Sequence, residues 1–245
     1  MTCSSRRQVA GPYPRPSAAC TGRETCFLPP RGRWALMDTP TPEPQRDRAP
    51  WRAPLQRTAV LAIDLQEAFF EDPSLAARRE TLVARCRQVL RWAEREQLPV
   101  VTVRTVHQRD RSTWTITMLE DDQGYLFEGD DHTACLDELD LSAATQVVKT
   151  RDDAFVGTDL EETLRGLGVE ALVVIGVSTH SCVLLTAAHA FAVDLEVVLV
   201  RDAIASHRPE LHELTLDALR DEYRFPVLSA DALCRVTSLV AEEAR

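Results

Sequence analysis

From residue 58 onward the chain alternates short, almost unbroken apolar runs with longer stretches whose apolar residues recur at helical spacing. The runs are TAVLAID (58 to 64), PVVTVRT (99 to 105), TQVVK (145 to 149), ALVVIGV (171 to 177), LEVVLV (195 to 200) and a weaker FPVLS (225 to 229). Strands that are apolar on both sides are buried on both sides, which predicts a parallel sheet covered by helices. Helices are predicted over 75 to 97, 159 to 167, 180 to 193, 209 to 222 and 231 to 243. Local punctuation agrees. Thr158 with Glu161 reads as a capping box, Gly166 and Gly168 as helix stops, and Pro209 as a first helical residue. Repeated βα alternation gives an α/β fold: a three-layer, doubly wound, Rossmann-like parallel sheet of six strands with helices on both faces.

The preceding residues behave differently. Positions 1 to 56 are rich in Pro, Arg, Ser and Thr and show neither period, so this segment cannot offset its ordering entropy and is predicted to be a disordered tail ahead of a single domain at 57 to 245. Met37 offers an alternative start.

The formal charge of −10 over 245 residues argues against nucleic acid or an anionic membrane as partner and leaves a small molecule. No apolar run approaches the roughly 20 residues that span a bilayer, and the amino-terminal residues lack the core of a secretory signal. The seven cysteines (3, 20, 26, 86, 135, 182 and 234) form no CxxC pair, so neither a disulfide framework nor a zinc site is expected. A reducing cytoplasm is the expected location. Cys86, Cys135 and Cys234 are expected to be inert.

Composition changes the picture at one position. Lys149 is the single lysine among 28 basic residues, and arginine cannot replace a compact, proton-exchanging ammonium. The alternative is one surface lysine without a task. Ligands in doubly wound sheets bind at the carboxyl ends of strands. Asp64 closes the first strand, Lys149 closes the third, and Cys182 lies in the first helical turn after the fourth. A thiol needs activation to attack at neutral pH. A helix amino terminus contributes roughly 0.3 to 1 kcal/mol toward the thiolate. An ammonium about 4 Å away contributes on the order of 4 kcal/mol at an effective dielectric near ~20, so Lys149 is expected to outweigh the helix. Asp64 opposes the thiolate and supplies a base for its proton.

Three ordered segments, IDLQEAFF (63 to 70), VVKTRDDAF (147 to 155) and GVSTHSCV (176 to 183), resemble the signature of the isochorismatase-like cysteine hydrolase superfamily over about residues 58 to 230. The resemblance implies Asp64 as proton shuttle, Lys149 as its electrostatic partner and Cys182 as nucleophile. It also implies a cis Val177–Ser178 peptide and an oxyanion hole from the backbone N–H groups of Ser178 and Cys182. The implied chemistry is acyl transfer through a thioester, without a cofactor. A cysteine favours cleavage of a C–N bond in an amide, ureido or lactam substrate. A vinyl-ether hydrolase and a catalytically inactive metabolite-binding module are the alternatives. Dimers or larger homo-oligomers are also implied.

Nicotinamidase-type relatives carry an Asp-x-His and a second His that bind a metal, whereas VRTVHQRDRSTW supplies His107 alone, so no metal is expected. His107 is a candidate pocket residue or a solvated loop histidine. His180 is a candidate substrate contact or a surface residue at a helix start. Phe69, Trp114 and Phe155 are candidates for apolar pocket walls, with ordinary core as the alternative. Gln66 either orients Asp64 or makes a loop hydrogen bond. The acidic runs at 120 to 122, 128 to 131 and 151 to 153 are either solvated faces or a preference for cationic amides.

Overall fold

The computed structural model describes residues 50 to 237. Six parallel strands, β1 (Thr58–Ile63), β2 (Val100–Thr105), β3 (Thr145–Lys149), β4 (Ala171–Val177), β5 (Glu196–Ala205) and β6 (Val227–Leu228), form one sheet in the order β3-β2-β1-β4-β5-β6. The order reverses between β1 and β4, and this creates the crevice at their carboxyl ends. The helices are α1 (Pro73–Ala76), α2 (Arg79–Arg95), α3 (Ile116–Glu120), α4 (Leu160–Gly166), α5 (Leu184–Ala192), α6 (Pro209–Tyr223) and α7 (Ala230–Leu233).

Strand periodicity divides the core into two layers. Val60 and Ala62 of β1 face a cluster with Leu82, Val89 and Trp92 of α2 and Leu233 of α7. Ala59, Leu61 and Ile63 face the other side, with Leu160 and Leu164 of α4, Ala187 and Ala190 of α5, and Leu216 and Leu219 of α6. All six β1 residues are buried, so the strand has no solvated face. Full burial of each large aliphatic side chain stabilises the fold by roughly 1.5 to 3 kcal/mol.

Several predicted boundaries move. Residues 1 to 49 lie outside the described residues, but 50 to 56 do not form a disordered segment. Trp51 and Leu55 are buried, Trp51 Nε1 donates to Thr58 Oγ1 at 3.2 Å, and Arg52 N–H donates to Glu196 at 2.6 Å. The domain therefore begins before residue 57. Thr158 makes no capping box: its hydroxyl accepts from Leu160 N–H, while Glu161 turns outward to Arg165. β5 runs on to Ala205, past a polar pair that ends the apolar run. Arg201 is held by Glu213, and Asp202 accepts from Ala230 N–H at 2.7 Å. The predicted last helix covers only Ala230–Leu233 among the described residues, and 238 to 243 lie outside them.

Candidate active site

Asp64 leaves the end of β1 with φ 52, a left-handed turn tied down by its N–H bond to Val103 O at 2.9 Å. Beside it, β4 approaches closely at Gly176. A Cβ there would stand 2.0 Å from Ile63 O, and the residue's φ of 123 disfavours any side chain. The chain then crosses a cis Val177–Ser178 peptide and enters a π-helical turn, Thr179–Val183. Ser178 O accepts from Ser181 N–H and Val183 N–H. This turn carries Cys182 into the crevice, 5% exposed.

Lys149 reaches the same point from two strands away. Neighbouring strands lie about 4.8 Å apart, so only a long side chain crosses over the end of β2. Its ammonium donates to Thr105 Oγ1 at 2.7 Å, Arg151 O at 3.0 Å and Cys182 Sγ at 3.5 Å. Those three bonds use its three protons. Asp64 Oδ2, 2.9 Å from Nζ, is an ion-pair neighbour with no directed hydrogen bond of its own, and both side chains are fully buried. Asp64 Oδ1 accepts from Thr105 Oγ1 at 2.9 Å. The Thr105 hydroxyl therefore joins ammonium to carboxylate.

Charge and burial compete in this cluster. Burial pulls the Lys149 ammonium down, but Asp64, then Cys182, raise it, and it ends above its ordinary value. At Cys182 burial comes first and Asp64 second, and together they outweigh Lys149, so the thiol is pushed well up. Burying a thiolate costs more than the neighbouring ammonium returns, a contribution that weighing Lys149 against the helix terminus leaves out. At neutral pH Lys149 is therefore an ammonium and Cys182 a protonated thiol.

The six candidate lining residues have different fates. Gln66 makes no side-chain hydrogen bond to Asp64. Its buried amide donates to Thr105 O and Thr133 O, both at 2.9 Å, and accepts from Thr105 N–H at 2.8 Å, which fixes the backbone beneath the Thr105 hydroxyl. Phe69 packs against the core on the α2 side of the sheet. Phe155 is buried in the opposite core, in the cluster that contains Cys182, and stacks on His189 at 4.6 Å. Trp114 packs near Phe127 and under Arg111, with Nε1 bonded to Gln108 O. His107 is buried rather than solvated. Its Nδ1 lies 3.0 Å from Thr113 O, its ring is 6.0 Å from Tyr125, and burial holds it below its ordinary value. His180 is half-buried and bonded through Nδ1 to Ser206 Oγ at 2.8 Å, its ring 4.7 Å from His207.

Two residues at the centre of the site were not singled out from the sequence. Thr105 looked like an ordinary strand threonine. Asp152, inside a predicted acidic loop, has its Oδ1 3.8 Å from Cys182 Sγ. Tyr125 stands near enough to Cys182, Asp152 and Lys149 to feel their charges. A metal does not fit these residues: among those described, no group of three or more His, Cys, Asp or Glu is arranged to hold an ion, and His107 Nδ1 faces Thr113. Among the described residues no helix is long and apolar enough to cross a membrane.

Comparison with known proteins gives a consistent result. The model of the isochorismatase domain matches residues 58–231. An Arabidopsis thaliana protein named "Probable inactive nicotinamidase" is 29% identical over 173 residues, 66% of this chain and 85% of its own. A "Probable isochorismatase" from Pseudomonas chlororaphis is 27% identical over 178 residues, 69% of this chain and 81% of its own. Among solved structures, N-carbamoylsarcosine amidase from Thermoplasma acidophilum superposes with a TM-score of 0.62 at 26% identity, covering 71% of this chain and 97% of that one.

Proposed function

This chain belongs to the isochorismatase domain family of hydrolases, and from that premise we propose that it cleaves a C–N bond in a small amide, ureido or lactam substrate through a thioester on Cys182. The observation that carries this reading is Asp64 Oδ2: a buried carboxylate oxygen held 2.9 Å from an ammonium that is itself 3.5 Å from the thiol. A base in that position is ready to accept a proton.

As Cys182 attacks the carbonyl carbon, its proton passes to Asp64 and the S–C bond forms. The carbonyl π electrons move to oxygen, and the backbone N–H groups of Ser178 and Cys182 donate hydrogen bonds to that oxyanion. Collapse breaks the C–N bond, and the proton held by Asp64 goes to the departing nitrogen. Water then attacks the thioester, giving its proton to Asp64. The C–S bond breaks, and the proton returns to the sulfur. Lys149 keeps its charge throughout and stays paired with Asp64 between transfers. A protonated resting thiol suits this sequence, because the proton needed by the leaving group is carried in by the nucleophile.

The test is intact-protein mass spectrometry after brief incubation with a panel of small amides and ureido compounds, read with ammonia or amine release. An acyl adduct at Cys182 that is absent from Cys182→Ala supports the reading. Hydrolysis by Cys182→Ala at the normal rate overturns it. The relative named as an isochorismatase favours a second reading, vinyl-ether hydrolysis, which would release pyruvate and leave no adduct. A third, an inactive binding module, accords with the relative named as inactive and predicts neither product.

A further inference from the structure

We propose that Asp152 selects substrates carrying a cationic group, an ammonium or amidinium, close to the carbonyl that Cys182 attacks. The proposal deepens the amidohydrolase reading and rests on it for the identity of the attacked group. Its foundation is the placement of one carboxylate. Asp152 is exposed, whereas Cys182 beneath it is 5% exposed, and Asp152 Oδ1 lies 3.8 Å from Sγ. A ligand group that reaches the sulfur therefore comes within interaction range of this oxygen.

The charges around the thiol do not balance. Two carboxylates, Asp64 and Asp152, share a single ammonium, Lys149, which is in contact with the first. Arg151, the next residue in the chain, donates to the neutral carbonyls Thr113 O and Thr150 O, and the charged groups that weigh most on Cys182 are Asp64, Lys149 and Asp152. His180 is kept below its ordinary value, first by burial and then by His207, so it adds no full positive charge at neutral pH. Tyr125 brings a neutral phenol. The site thus presents a surplus negative charge beside the thiol.

Four other acids of these loops are answered from within the protein. Asp153 pairs with His189, Asp130 with Arg109, Asp122 with Arg111, and Glu128 accepts from Gln108. Among the described residues Asp152 has no ion-pair partner, and its side-chain hydrogen bond is with the thiol. A cation seated against Asp152 would cancel a charge that disfavours the thiolate, so a cationic substrate promotes its own attack. A neutral amide would face the uncompensated carboxylate.

The experiment measures alkylation of Cys182 in the full chain by three reagents, iodoacetamide (neutral), iodoacetate (anionic) and 2-bromoethylamine (cationic), with Cys182 followed by peptide mass spectrometry. Wild-type protein is compared with Asp152→Asn, which conserves shape at an exposed position. The ratio of variant to wild-type rates cancels the intrinsic reactivity of each reagent. The cationic-to-anionic preference should fall about fivefold or more in Asp152→Asn, the factor that ~1 kcal/mol of partly exposed pairing corresponds to. The iodoacetamide rate should rise, because a charge opposing the thiolate has gone. An unchanged preference overturns the proposal. A parallel fall with all three reagents overturns it too, since that marks a structural role. None of these readouts requires turnover. Charge selection in alkylation without an adduct from any cationic amide would therefore sink the amidohydrolase reading alone and leave the selection by Asp152 supported.

Discussion

Replacing Thr105 with valine isolates the contribution of one hydroxyl to the buried charge cluster. Thr105 is 5% exposed, and its Oγ1 accepts from Lys149 Nζ at 2.7 Å and donates to Asp64 Oδ1 at 2.9 Å. Valine keeps the shape and removes both bonds. A hydrogen bond to a charged group contributes about 1.5 to 3 kcal/mol, and here two are lost. The added methyl recovers about 0.8 kcal/mol of apolar burial. Because Asp64 Oδ2 already lacks a hydrogen bond, the carboxylate would then be held by its ion pair alone. We therefore expect Thr105→Val to lose about 3 kcal/mol of stability, which for a domain of this size is a fall of roughly 6 to 12 °C in Tm. Thr105→Ser, which keeps the hydroxyl, should lose about 1 kcal/mol. Urea unfolding at pH 7, followed by circular dichroism, gives both values from midpoints at constant slope. Equal midpoints for valine and serine would refute the bridging role.

Lys149→Met should cost about 3 kcal/mol or more at pH 7, because the Asp64 charge is left buried and unpaired. A group raised in the folded state stabilises it below its unfolded value and loses that contribution as pH climbs through the folded one. The gap between wild type and Lys149→Met in urea should thus persist to about pH 10.5 and close only above it; closure between pH 7 and 9 would contradict the ion pair. The same sign applies to Cys182. Its alkylation by iodoacetamide should keep accelerating past pH 9, and a plateau below pH 8 would show a thiolate that the structure does not support. Gly176→Ala places a Cβ on Ile63 O and should destabilise by about 4 kcal/mol or prevent folding, measurable by the same unfolding assay.

The strands were legible because burial on both faces writes itself as unbroken Val, Ile and Leu. β5 was read short, since Arg201 and Asp202 have partners on α6 and at the start of α7 that no local pattern shows. Trp51 fell in a Pro- and Arg-rich context that hides a single buried indole. At the site, Asp64, Lys149 and Cys182 were visible as unusual chemistry at strand ends, and the structure brings them within hydrogen-bonding or ion-pair range. Thr105 was invisible for a different reason. It matters only because β2 lies between β1 and β3, and strand order is a property of the sheet rather than of any segment. Of the two readings of Gln66, two residues beyond Asp64, the structure shows the loop hydrogen bond, and its partners on β2 and the 133 loop lie far away in sequence.

The π-helical turn at Thr179–Val183 has a consequence for how such a site adapts. A turn of this kind holds one residue more than an α-helix would, and each helical residue accounts for about 100° of rotation. The surplus residue works as a clutch between two bearings. Downstream, Ala187 and Ala190 seat α5 on the sheet; upstream, the chain is fixed to the end of β4. Between them the azimuth of the sulfur can be set without re-seating either part, so the aim of the thiol and the packing of the helix can evolve as separate variables.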